Sequence, residues 1–191
     1  MVQFVQKYLG VAAVTFLTAC TTLPSTNSAY PLATKLAVCS GTVSNAPRTD
    51  AQNYIRGYEP YTEISNIVIA RAPVRSCLSS GFGPRSGGAG TFHNGIDLFT
   101  PHPEPIVAGG TGIVEALETK RGYGRTIIIR HSKRVKTLYG HLSSYARGLS
   151  VGDRVELGDV IGYTGDSGNA TAIHLHYEII ASSKPKNPLT Q

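Results

Sequence analysis

Four of the six histidines in this 191-residue chain fall in three short stretches, and one stretch also carries an aspartate. His93 and Asp97 sit in FHNGID, His141 in LYGHLSS, and His174 and His176 in IHLHYEI. Two imidazoles and a carboxylate form a ligand set suited to a borderline cation such as Zn2+, with a fourth position open for water. An ion held in this way lowers the pKa of its water to about 7 and polarises a carbonyl, which is hydrolytic chemistry. Two further imidazoles would remain to move protons.

The spacing within each stretch constrains that reading. In HLHYEII, strand alternation puts His174, His176 and Glu178 on one face and Leu175, Tyr177 and Ile179 on the other. The two histidines are then about 6.6 Å apart along the strand, at about 3.3 Å per residue. Both can reach one metal, or one can bind while the other stands over the bound water, and periodicity leaves both open. FHNGID has the i, i+4 spacing of the helical H-E-x-x-H pattern. Asn94-Gly95 is poor helix material, so a turn running into a strand is expected, with Gly95 leaving room for His93 and Asp97 to converge. Taken alone, His141 reads as a structural histidine and the H-x-H pair as a solvent-facing one. His102 and His131 are assigned to structure outright, because nothing in the sequence pairs with either.

The elements around these stretches are short. From about residue 66 the chain runs through NIVIA, GIDLF, PIVAGGTGIVEAL, RTIIIRH, VKTLYGHL, VELGDVIGYTG and HLHYEIIA, punctuated by Gly and Pro. Short β-rich runs between turn signals predict a mostly β, antiparallel domain over residues 66–191. No helical stripe of convincing length and no internal repeat appears there. Residues 35–65 hold Cys39 and short apolar pieces without a sustained period, and are read as an ordered extension packed on the domain.

The N-terminus reads as an address. One lysine, Lys7, precedes an uncharged apolar run at residues 8–19 (YLGVAAVTFLTA), which has the build of an export signal over residues 1–19. The run is shorter than the roughly 20 residues a membrane-spanning helix needs. Leu17-Thr18-Ala19-Cys20 resembles a bacterial lipobox, which would make Cys20 the lipid-bearing first residue. Residues 20–34 then form a flexible tether rich in Ser, Thr, Pro and Asn. Of three cysteines, Cys39 and Cys77 are left as an even pair in an oxidising compartment, where a disulfide is expected. That bond would hold the extension near SSGFGPR, in a position to restrict access to the histidine stretches. The net charge of +6 falls to +5 once Lys7 leaves with the signal, and suits anionic envelope polymers or phospholipid head groups. No nucleic-acid motif accompanies it, so nucleic acid is excluded as a partner and a monomer is expected.

Order and context tie the pieces together. SSGFGPR, FHNGIDL, PIVAGGTGIV, YGRTIIIRH, TLYGHLSSY, GDRVELGDVIGYTGDSG, HLHYEI and KPKNP follow one another over residues 75–188. Block by block they resemble the lysostaphin/LytM-type zinc metalloendopeptidases of the M23 family, which cut peptidoglycan peptides. The resemblance implies a LytM-like (duplicated hybrid motif) antiparallel β-sheet domain with a long groove. It also implies His93, Asp97 and His176 as zinc ligands, and His141 and His174 as catalytic. All five positions carry the family's residues. The expectation is thus a zinc-dependent peptidoglycan endopeptidase, lipid-anchored at Cys20 and facing the periplasm of a Gram-negative envelope. The alternatives are a non-hydrolytic adaptor that uses the same groove and an amidase that cuts the sugar–peptide bond.

Overall fold

The structure is a computed structural model that describes residues 32–85 and 91–190. The export signal, Cys20 and the tether up to residue 31 lie outside the described residues.

The strongest β-formers build the centre of the fold. His174–Ala181 is the middle strand of a nine-stranded sheet, and its odd-numbered residues Leu175, Tyr177 and Ile179 are fully buried. Each such side chain contributes about 1.5–3 kcal/mol on burial. On one side this strand pairs with Val135–Gly140, followed by Gly124–Arg130, Gly112–Lys120 and Arg154–Val155. On the other side lie Ile96–Phe99, Cys77–Ser80 and Ala37–Val38, and Lys184–Lys186 adds a short edge pairing. A three-stranded sheet of Ser144–Tyr145, Val160–Tyr163 and Pro105–Val107 completes the core, with Ile106, Leu142 and Ile161 joining Ile127, Leu175 and Tyr177. Among the described residues no helix is present, so the domain is all β.

Buried polar groups lock the layers together. Tyr177 donates its hydroxyl to the Ala70 carbonyl at 2.8 Å, and Tyr139 accepts the Gly109 N–H at 2.7 Å. The basic run HSKRVK, residues 131–136, spans the turn into Val135–Gly140, where Lys133 and Arg134 are exposed. His131 is satisfied by Thr111 and Thr137, in keeping with a structural role.

The 35–65 stretch is stitched into the sheet edge. Ala37–Val38 pairs in parallel with Cys77–Leu78, the one parallel ladder among the described residues of an otherwise antiparallel sheet. Cys39 and Cys77 are joined by a disulfide, with Cα atoms 5.0 Å apart. Leu36 and Ile55 enter the common core, so the stretch buries apolar surface of its own.

Candidate metal centre

Register on the central strand assembles the site. His176 lies directly opposite Asp97 on one neighbour and Gly140 on the other, immediately before His141. His93 sits on the short strand Phe92–His93, opposite Gly83. Between His93 and Asp97 the chain comes up against the backbone of the central strand, and a Cβ on Gly95 would stand 2.2 Å from the Tyr177 carbonyl oxygen. Glycine is therefore required by the neighbouring strand. The expectation that Gly95 makes room between His93 and Asp97 is corrected on that ground.

His93, Asp97 and His176 converge as a potential metal-holding group. His93 Nε2 is 3.1 Å from both Asp97 Oδ1 and His176 Nδ1, and His176 Nδ1 is 2.9 Å from Asp97 Oδ1. An ion with bonds of about 2.0–2.1 Å to nitrogen and oxygen spaces tetrahedral ligands at about 3.3 Å, close to these edges. The other atom of each side chain is already taken. His93 Nδ1 lies 2.7 Å from the Gly81 carbonyl, which can only accept, so that nitrogen carries the proton. His176 Nε2 donates to Glu178 Oε1 at 3.0 Å, and Asp97 Oδ2 accepts from Arg85 Nη2 at 2.8 Å. Three lone pairs are thereby turned on one point, and the donor set fits a divalent cation.

The electrostatics follow from the same contacts. Burial pushes the Asp97 carboxyl up, but its contacts with the His176 and His93 rings outweigh that and hold the group well below the usual carboxylate range. Burial also works against charge on His176, yet Asp97 and Glu178 lift it to about 9. Without an ion, a proton on Nδ1 takes the ion's place. Burial raises Glu178, but its bonds to His176 and Tyr123 bring it below the ordinary range, so it stays an acceptor.

His141 and His174 face each other across the same cleft, with ring centroids 4.7 Å apart. Their Nδ1 atoms donate to the carbonyls of Ser167 (2.7 Å) and Ala172 (2.8 Å), which leaves each Nε2 bare. His174 Nε2 is 3.8 Å from Asp97 Oδ1, outside the tight triangle of His93, Asp97 and His176. His141 adopts a left-handed backbone at φ 65°, a conformation that costs a non-glycine residue about 1–3 kcal/mol. Burial pushes its imidazole down to about 4, so it is neutral near pH 7.

The five side chains line a cleft of about 470 Å³, together with Arg85, Phe92, Asn94, Tyr123, Asn169 and Thr171. No residue of 35–65 lines it. The contacts of Ser44 and Asn45 run instead to the Gly81 N–H and the Pro84 carbonyl, and Gly81 in turn accepts from His93 Nδ1. Sequence reasoning missed the Gly81 carbonyl behind His93 and two side-chain supports. Glu178 was visible only as a same-face neighbour of His176, and Arg85 carried no signal beyond its place in SSGFGPR.

Comparison with known proteins gives the family. The sequence model described as Peptidase family M23 matches residues 91–188, half of the chain, and the chain belongs to that family. It is 39% identical over 99 residues to the DD-carboxypeptidase/endopeptidase Mpg of Neisseria meningitidis, covering 52% of this chain and 22% of that protein. It is 38% identical over 117 residues to the peptidoglycan DD-endopeptidase ShyC of Vibrio cholerae, covering 59% and 27%. The chain thus spans about a quarter of the length of these curated relatives. A crystal structure of a zinc containing peptidase from Vibrio cholerae superposes with a TM-score of 0.57 at 27% identity, covering 74% of this chain and 42% of that one.

Proposed function

We propose that this protein is a zinc-dependent endopeptidase that hydrolyses peptide bonds in the stem peptides or crosslinks of peptidoglycan. The observation that carries the reading is the triangle of bare donor atoms on His93, Asp97 and His176, with two more bare imidazole nitrogens beside it. His93 Nε2, Asp97 Oδ1 and His176 Nδ1 would hold the zinc. Bound there, zinc would lower the pKa of a water to about 7 and polarise the scissile carbonyl. One of the two bare Nε2 atoms, on His141 or His174, would accept the proton of the attacking water and so become an N–H donor to the carbonyl oxygen as it gains charge, while the other would orient that water by accepting its second hydrogen. The accepted proton then passes to the leaving amine.

The D-alanine to meso-diaminopimelate crosslink is the bond we assign, supported by the DD-endopeptidase names of the relatives. Leu17-Thr18-Ala19-Cys20 at the end of an apolar run supports anchoring by a lipid on Cys20, on the periplasmic side of a Gram-negative membrane. Mass analysis of fragments released from purified sacculi tests the activity. Crosslinked dimers should convert to monomers with new D-alanine and diaminopimelate ends. Binding without release would make the protein an adaptor, and release of free stem peptides from glycan would make it an amidase. Either result overturns the reading.

A further inference from the structure

The sequence match to the family begins at residue 91, yet two of the three candidate ligands are held from behind by residues that precede it. Gly81 is the first hinge of this support. Its carbonyl accepts the Nδ1–H of His93 at 2.7 Å, and its own N–H donates to the Ser44 carbonyl at 2.7 Å. A Cβ on Gly81 would stand 2.2 Å from the Asn45 carbonyl oxygen, so the two backbones meet with nothing between them. Asn45 Nδ2 donates to the Pro84 carbonyl at 2.8 Å, and Ser44 bridges Ser80 in parallel. The Cys39–Cys77 disulfide closes the same edge.

Arg85 is the second hinge. Its Nη2 donates to Ser80 Oγ and to Asp97 Oδ2, both at 2.8 Å, while Ser80 itself pairs with Asp97 across the ladder. A carboxylate with both oxygens free can chelate an ion through both or turn away from it. With Oδ2 taken by Arg85, only Oδ1 is left to face the two imidazoles. An imidazole free to flip can likewise present either nitrogen, and the Gly81 carbonyl removes that choice for His93. Partners of this kind set the orientation and basicity of metal ligands.

We propose that residues 37–85 are a working part of the metal centre, with Arg85 the positioning residue for Asp97 and the Ser44–Asn45–Gly81 contact the brace for His93. The extension is a strut behind the site. This rests on the metal reading above, and its test is separable because it needs no substrate.

The full chain is stripped of metal, and zinc affinity is measured by competition with a chromophoric chelator. The visible spectrum of the Co2+-loaded protein is recorded alongside. Arg85→Met should weaken zinc by about 10–100-fold. Its cobalt bands should lose intensity as Asp97 binds through both oxygens and the coordination number rises above four. Arg85→Lys should recover part of the affinity. Asn45→Ala alters an exposed side chain that does not line the cleft, and should weaken zinc in the same direction by about threefold or more. Melting curves of the metal-free variants separate this from loss of fold. Zinc affinity and cobalt spectra equal to the parent in both Arg85→Met and Asn45→Ala would overturn the inference. A parent chain that binds no zinc would overturn the metal reading instead.

Discussion

His93 Nε2 and His176 Nδ1 stand 3.1 Å apart, and the other nitrogen of each ring already donates, to the Gly81 carbonyl and to Glu178. Two nitrogen lone pairs at that distance repel unless a proton or a cation lies between them. Asp97 Oδ1 closes the third corner and adds negative charge. The arrangement is stable only when something positive occupies it.

The purified protein should therefore hold about one zinc per chain, since three protein ligands with an open position characterise hydrolytic rather than structural zinc. Replacing His93, Asp97 or His176 by Ala removes a corner and should bring bound zinc after dialysis to below roughly a tenth of the parent value. Elemental analysis decides it, and tight zinc retained in all three variants would refute the ligand assignment.

His141→Ala and His174→Ala should behave differently. Both imidazoles lie outside the donor triangle and keep their Nε2 bare. Zinc should stay while turnover falls by about 10²-fold or more, the scale of a lost acid–base group. The critical measurement is the zinc content of His174→Ala. His174 Nε2 is 3.8 Å from Asp97 Oδ1, and loss of metal there would make it a ligand.

Why some of this was legible in the sequence and some was not comes down to range. The alternation of His174, His176 and Glu178 is local, so their common face was readable from the strand alone. Whether one or both histidines join the triangle depends on the register of His176 opposite Asp97, a pairing across 79 positions that no local pattern encodes. Gly95 stands out in FHNGID, but its reason lies on the Tyr177 backbone, which the spacing of that stretch does not contain. Arg85 and Gly81 act through single contacts to residues 12 positions away. The all-β class was plain from short β-branched runs. The parallel edge of Ala37–Val38 was not, because it is set by its neighbour Cys77–Ser80 and closed by the disulfide.

Metal uptake should depend on pH through His176. In the metal-free protein its pKa is lifted to about 9, with burial opposed and outweighed by Asp97 and Glu178. A proton on Nδ1 competes with the ion, so below that value binding must release it. Apparent zinc affinity should rise by about tenfold per pH unit from pH 7 toward 9 and then level off. Competition titrations across that window check it, and a flat profile would mean that His176 is not the displaced proton's site.

The Cys39–Cys77 bond closes a loop with a sequence separation of 38, worth about 4 kcal/mol in the chain-entropy model. Reduction should lower the melting temperature by roughly 10 °C for a domain of this size. Because residues 35–65 line no part of the cleft, reduction removes support rather than a cover, so activity should fall and not rise. Thiol titration of denatured Cys20→Ser protein is the direct check, with no free thiol before reduction and the Cys39 and Cys77 thiols after it. Free thiols in the unreduced sample, or faster turnover on reduction, would place the extension in a different role.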